Sequence, residues 1–82
     1  MTKRKLVRTP LTEVIILRRE ELELTQAAVA LRVGVARAVY ARIERNAETV
    51  HLATLRKIAK ALDVTPHQLL FWAHKHSMHH AG

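Results

Sequence analysis

Apolar residues recur every three or four positions along most of this 82-residue chain, which is the periodicity of amphipathic helices. The pattern predicts a first helix that begins at Thr9-Pro10, with threonine as N-cap and proline at the first helical position. A second helix, 26–32, follows Thr25 as its N-cap. Gly34 is suited to the left-handed residue that ends such a helix.

The same periodicity predicts three further helices. The third covers 36–45, and a loop, 47–51, leads to a fourth helix with apolar residues between Leu52 and Leu62. Thr65-Pro66-His67-Gln68 has the sequence of a capping box, in which the glutamine reaches back to the N-cap, and starts the fifth. Because the connections are short, we expect one compact all-α domain of five helices.

Composition supports a single helical domain. Two glycines and two prolines are too few for the turns of a small β-barrel or sandwich. The chain has no cysteine, which excludes disulfides and thiolate metal sites. We assign 1–9 to a flexible basic arm, 10–76 to the folded domain and 77–82 to a frayed tail.

The charge balance favours a nucleic-acid partner. Lys+Arg number 14 and Asp+Glu 7, which gives a formal net charge of +7, and strongly basic small domains bind polyanions. No apolar run approaches the ~20 residues that span a bilayer, and the first ten residues lack the apolar stretch of a signal peptide. We therefore expect a cytoplasmic, nucleoid-associated protein without a membrane partner.

The segment 26–45 carries the strongest functional signal. Its two short helices, joined at Gly34, are expected to pack at a steep angle through small residues such as Ala30. One stripe of the second of these helices combines guanidinium groups with small side chains: Arg37, Ala38, Ala41, Arg42 and Arg45. Such a face can enter a major groove ~12 Å wide and offer bidentate donors to guanine. The alternative is an ordinary solvated helix face.

Three features occur together in this segment. Gln26 opens the second helix, Val33-Gly34-Val35 forms the turn, and Ile43-Glu44-Arg45 closes the third helix. With this combination of features, residues 11–70 resemble the lambda-repressor-like (XRE) helix-turn-helix family. The resemblance implies a five-helix domain whose second and third helices form the helix-turn-helix. It also implies that the domain binds operator DNA as a dimer, with the third helix in the major groove.

The resemblance further implies roles for individual residues. Arg37, Ala38 and Arg42 fall where the family contacts base edges. We add Ala41 to the base contacts because it lies on the same stripe of the helix. Gln26 and Arg45 fall where the family contacts phosphates. Arg19 and Glu44 match a buried ion pair that ties the first helix to the third.

Other cations lie outside the helix-turn-helix. The basic arm consists of Lys3, Arg4, Lys5 and Arg8. It either contacts DNA phosphates, as some arms of the family do, or is only a solubilising tail. On the fourth helix, Arg56, Lys57 and Lys60 flank an apolar stripe, so we expect them to face solvent rather than DNA.

Four positions depart from the family pattern. Glu23 stands where the family often has a helix-ending glycine, so we expect a looser or different cap. Ala36 lacks the hydroxyl of the usual N-cap, and Tyr40 must place a hydroxyl where the family has an aliphatic residue. Glu48 lies in a loop without lysine or arginine, which predicts weak phosphate binding there.

The fifth helix has more apolar residues than one face can bury, because Leu69, Leu70, Phe71 and Trp72 are consecutive. Leu69 and Leu70 can cover the core, which leaves Phe71 or Trp72 to face outward, and an exposed aromatic patch indicates a partner. We assign Leu69, Phe71 and Trp72 to a homodimer interface, with burial inside the monomer as the alternative for Trp72.

The histidine-rich carboxyl end does not indicate a metal site. His74, His76, His79 and His80 have no cysteine or carboxylate beside them, so we expect a solvated tail. No cofactor, metal site or catalytic constellation is predicted, and we expect no enzyme activity.

Three functional hypotheses follow. The first is a homodimeric, sequence-specific regulator of transcription, acting as a repressor or autoregulator on double-stranded operator DNA. Phage-type repressors and the controller proteins of restriction-modification systems are similar stand-alone chains. The second is the antitoxin of a toxin–antitoxin pair, which neutralises a protein toxin and autoregulates its operon. An adaptor that uses the fold for protein contacts alone is a third possibility.

Overall fold

The computed structural model describes residues 8–79, which form five α-helices and no strand. The helices are α1 (Pro10–Glu21), α2 (Gln26–Val33), α3 (Arg37–Arg45), α4 (Leu52–Ala61) and α5 (Pro66–His79). The predicted five-helix, all-α architecture is confirmed. No helix within the described residues is long and apolar enough to cross a membrane.

Two predicted boundaries are wrong. A short 3₁₀ helix, Ala47–Thr49, occupies most of the predicted loop between α3 and α4. Helix α5 continues to His79, so the frayed tail predicted from 77 does not begin there. Residues 80–82 and 1–7 lie outside the described part of the chain, which leaves most of the predicted basic arm there as well.

The core lies where α1 and α5 pack together and where α2 packs against α3 and α4. Its fully buried side chains include Ile15, Val29, Tyr40, Ile58, Leu62 and Leu69. The burial of Leu69 corrects its assignment to a dimer interface, because a side chain with 0% exposure has no surface to offer a partner. Leu70 was expected to cover the core but is 48% exposed.

The helix ends are closed by residues in the left-handed conformation. Gly34 (φ 92°) ends α2, and the amide of Val35 donates to the Ala30 carbonyl at 3.0 Å. Glu23 (φ 59°) ends α1 in the same way, with the amide of Leu24 donating to the Arg19 carbonyl at 3.0 Å. This is the Schellman pattern. The expectation of a looser cap at Glu23 is therefore wrong.

The helix starts show which predicted caps form. The Thr25 hydroxyl accepts a hydrogen bond from the Ala28 amide at 3.0 Å. Thr65 and Gln68 form the predicted capping box, with N–O distances of 3.1 and 2.9 Å. The Thr9 hydroxyl makes no capping bond within residues 8–79.

A carboxylate from a distant part of the chain caps α1 instead. Glu48 Oε2 accepts a hydrogen bond from the Leu11 amide at 3.0 Å. Beside it, the buried hydroxyl of Thr12 accepts one from the Ala47 amide at 2.8 Å. These bonds fix the start of α1 against the 3₁₀ helix. Glu48 is therefore a capping residue as well as an acidic residue of the loop.

Candidate nucleic-acid interface

Helix α3 presents a cationic face to solvent. The turn at Gly34 reverses the chain so that α3 buries Tyr40 against the core. Its opposite face leaves Arg37, Arg42 and Arg45 exposed. Within residues 8–79 none of these arginines forms an ion pair with a carboxylate. Their charges are therefore free to bind an anionic partner.

The predicted contact residues fall into two stripes of α3. Arg37, Ala41 and Arg45 line a cleft between α3, α1 and the start of α2, where Gln26 also lies. Ala38 and Arg42 do not line this cleft, although both are exposed. We call this cleft the interface cleft and refer by that name to four of its lining residues: Gln26 of α2 and Arg37, Ala41 and Arg45 of α3. The structure thus brings the predicted phosphate contacts together with part of the predicted base-reading stripe.

A buried carboxylate organises the floor of this cleft. Glu44 Oε2 accepts a hydrogen bond from Arg19 Nε at 2.6 Å, and Oε1 accepts from Arg19 Nη2 at 3.2 Å. Gln26 Nε2 donates to the same Oε1 at 2.8 Å. Arg19 Nη1 also donates to the Leu24 carbonyl at 2.9 Å. One carboxylate therefore joins α1, the start of α2 and the end of α3.

The pKa values of this cluster follow from burial and from the bidentate contact. Burial by itself raises the pKa of Glu44, but the hydrogen bonds from Arg19 and Gln26 outweigh it and hold this pKa below its ordinary value. The hydrogen bond with Glu44 raises the pKa of Arg19. Both groups are consequently charged at neutral pH.

Tyr40 lies beside this cluster and is the largest fully buried side chain. Its hydroxyl has no hydrogen-bond partner of good geometry within residues 8–79. Burial, and then the neighbouring Glu44 carboxylate, raise the pKa of Tyr40. The hydroxyl is therefore neutral, and it is buried near Glu44 without a hydrogen bond to any residue of 8–79.

The start of α2 can hold an anion at the edge of the cleft. The first amides of a helix have no partner within the helix, and the Thr25 hydroxyl takes only that of Ala28. Gln26 donates one amide hydrogen to Glu44 and keeps a second. Backbone amides at the start of a helix bind phosphate groups, and the cationic side chains of the cleft add to the attraction.

The structure adds two charged residues to the cleft that the sequence did not assign there. Arg8 lines it and forms an ion pair with Glu13 at 3.2 Å. Glu20 also lines it, as an opposing charge. The sequence had placed Arg8 in the basic arm, whereas no local pattern could have found Glu20, since the cleft forms only when α1 packs against α3. Lys3, Arg4 and Lys5, the predicted arm contacts, lie outside the described residues.

The remaining predicted surface lies on α5. Phe71 is 58% and Trp72 36% exposed. Trp72 lines a groove with Val14 and Leu17 of α1 and with the charged pair Arg18 and Glu21. Lys75 Nζ lies 5.7 Å from the centre of the Phe71 ring. Within the described residues no group of three or more potential ligands could hold a metal ion.

Comparisons with known proteins agree with this geometry. A family model described as helix-turn-helix matches residues 15–69. The wild-type restriction-modification controller protein C.Esp1396I, in a triclinic crystal, superposes with a TM-score of 0.81 at 26% identity, covering 88% of this chain and 94% of that one. A single-substitution variant of it gives 0.78 at 25% identity, covering 87% and 95%. No functionally curated protein matches the chain significantly.

The family match covers more than half of the chain, including all of the helix-turn-helix, and the structural similarity extends to α5. The exposed, unpaired arginines of α3 lie on the helix that follows the Gly34 turn. The chain belongs to the lambda-repressor-like (XRE) helix-turn-helix family of DNA-binding transcriptional regulators.

Proposed function

We propose that this protein is a sequence-specific repressor or autoregulator that binds double-stranded operator DNA as a homodimer. The observation that carries the proposal is the exposed face of α3. It combines three arginines without carboxylate partners in the described chain with the small side chains of Ala38 and Ala41. Small residues let the helix approach the base edges, while the guanidinium groups supply bidentate donors.

The two stripes of α3 divide the proposed contacts. Arg42 and Ala38, away from the interface cleft, read base edges together with Arg37 and Ala41 at its border. Gln26 and Arg45 bind the phosphates of one strand as it passes along the cleft. Arg8 lies in the same cleft, which supports the arm contacts at Lys3, Arg4 and Lys5, because these residues precede Arg8 in the arm.

The homodimer rests on α5. Trp72 is exposed beside Leu17, which is 49% exposed, and the adjacent Phe71 is 58% exposed, so apolar area is available to a second copy. A two-fold axis through this surface would set two recognition helices one DNA turn, ~34 Å, apart. Leu69 has no part in this surface.

The structural relatives favour a controller-type role over an antitoxin role. They are structures of one restriction-modification controller protein, C.Esp1396I, and its variants, and the similarity covers most of both chains. We propose that this chain likewise controls transcription by occupying an operator. Capture of a small toxin-like protein that blocks DNA binding would instead support the antitoxin hypothesis.

The test begins by selecting bound duplexes from a random pool and comparing two variants on the selected and a scrambled duplex. Arg42→Ala should lose ~1–3 kcal/mol on the selected duplex and relax the preference at one position of each half-site. Arg45→Ala should weaken binding to both duplexes alike and reduce the salt dependence by about one phosphate contact. Equal losses on both duplexes with Arg42→Ala would contradict its base-reading role.

A further inference from the structure

A second cationic surface lies on α4. Arg32, Lys57 and Lys60 line one shallow depression between α2 and α4. Lys60 and Arg56 line the next, at the start of α5. Because Lys60 borders both depressions, the four side chains form one continuous patch. We name Arg32, Arg56, Lys57 and Lys60 the α4 basic surface.

No carboxylate of residues 8–79 neutralises these charges in an ion pair. All four side chains are exposed, and none forms an ion pair with a carboxylate anywhere in residues 8–79. Arg32 donates only to the Ala61 carbonyl, at 3.0 Å. Helix α4 has no acidic residue, and its cations are three and four positions apart, a spacing at which like charges repel. Among the described residues, Asp63 is the one carboxylate that lines either depression.

This surface is separate from the interface cleft. Helix α2 packs against both α3 and α4. No residue that lines the cleft also lines either of the depressions on α4. Within residues 8–79 the two surfaces therefore share no lining side chain, so substitutions can disable one surface without altering the residues of the other.

The chemistry of the patch favours nucleic acid over protein. Lysine is depleted from protein–protein interfaces, which depend on aromatic and apolar anchors. None of the large exposed apolar side chains of residues 8–79 lines either depression. Clustered lysine and arginine without such anchors are typical of contacts to a phosphate backbone, which need no base reading.

We propose that the α4 basic surface is a second, sequence-independent binding site for duplex DNA. A protein with α3 in one duplex could thereby hold another segment. This inference goes beyond the proposed function, in which α4 has no DNA contact.

The test separates the two surfaces by substitution. Arg37→Ala, Arg42→Ala and Arg45→Ala together disable α3, and Arg56→Gln, Lys57→Gln and Lys60→Gln together disable α4. A fluorescent random-sequence duplex is titrated at several salt concentrations. The α3-disabled protein should retain salt-dependent binding, and adding the α4 substitutions should reduce the slope of log K against log salt by about 2.7, or 0.9 for each of three lost contacts.

Two further measurements sharpen the test. Asp63→Asn removes the one opposing charge and should strengthen the residual binding. With a donor-labelled selected duplex and an acceptor-labelled random duplex, the wild-type protein should bring the labels together and the α4-disabled protein should not. The α4-disabled protein should still prefer its selected duplex.

Loss of all random-duplex binding in the α3-disabled protein would overturn the inference, as would binding unaffected by the α4 substitutions. The latter result, with an acidic protein captured through α4, would assign the patch to protein contact. If instead the wild-type protein selects no duplex, the proposed function fails whatever α4 does, so the two failures are distinguishable.

Discussion

At the scale of single residues, Glu44 has the largest structural role. Its side chain is 4% exposed and accepts hydrogen bonds from Arg19 and Gln26, which belong to different helices. Removing one partner of a buried pair leaves an uncompensated charge, whereas replacing both by apolar groups is often nearly neutral. The pair therefore fixes the arrangement of the helices more than it adds net stability.

We expect Glu44→Ala to lose ~3–5 kcal/mol of unfolding free energy in urea, because it strands the Arg19 guanidinium. The double variant Arg19→Met/Glu44→Leu should lose much less.

The stability of the protein should also depend on pH through Glu44. The folded-state pKa of Glu44 is lowered, so the stabilisation by this carboxylate is present above its ordinary pKa of 4.5 and is lost as pH falls through the folded-state pKa. The stability difference between the wild-type protein and the double variant should shrink over that acidic range; a constant difference would contradict this linkage.

At the scale of helices, chain reversal uses the same Schellman motif with different residues. Glu23 (φ 59°) and Asp63 (φ 63°) occupy the left-handed position that glycine holds at Gly34. A residue with a Cβ pays a steric cost there, and aspartate tolerates this conformation better than glutamate.

Glycine at these positions should therefore stabilise the protein, and more so at the first. We expect Glu23→Gly to raise the unfolding free energy by ~0.5–1 kcal/mol and Asp63→Gly by less. Thermal and urea unfolding measure both. Gly34→Ala is the opposite control and should lower the unfolding free energy. A Cβ there would meet no atom within 4 Å, so the loss would come only from the φ of 92°. A loss of stability with Glu23→Gly would show that its side chain makes a stabilising contribution.

Side chains of other helices cap the C-terminal end of helix α4. Its last carbonyls accept hydrogen bonds from two arginines of other helices: Arg18 Nε reaches the Leu62 carbonyl and Arg32 Nη1 that of Ala61, both at 3.0 Å. Cations at a helix C-terminus also interact favourably with the helix dipole. The end of α4 is thus held by α1 and α2.

At the scale of the whole molecule, we expect the exposed side of α5 to determine whether two copies of the protein form a dimer and bind the operator together. Phe71→Ser should shift the solution mass from dimer to monomer without unfolding the chain, because Phe71 is 58% exposed. Operator affinity should fall, since each monomer then binds a half-site alone. Leu31→Ser, on α2 and 81% exposed, is the matched control and should change neither. A Phe71→Ser dimer would place the interface elsewhere.

The sequence by itself determined the helices, the caps at Thr25 and Thr65, the turn at Gly34 and the family. Each depends on residues within a few positions of one another or on a motif of adjacent residues. The same periodicity indicated the exposed arginine stripe of α3. These features were predictable because local spacing fixes which residues share a helix face.

Only the tertiary structure decided what lies between distant segments. Glu48 caps α1 from 37 positions away, and Arg18 holds the end of α4 from 44. The packing of α5 buried Leu69 and left Leu70 exposed, although both are leucines in one apolar run. The cleft that joins Gln26 to Arg37 and Arg45 likewise exists only after three helices meet. Periodicity specifies a face of each helix but not its partner, since that choice depends on packing the whole core at once.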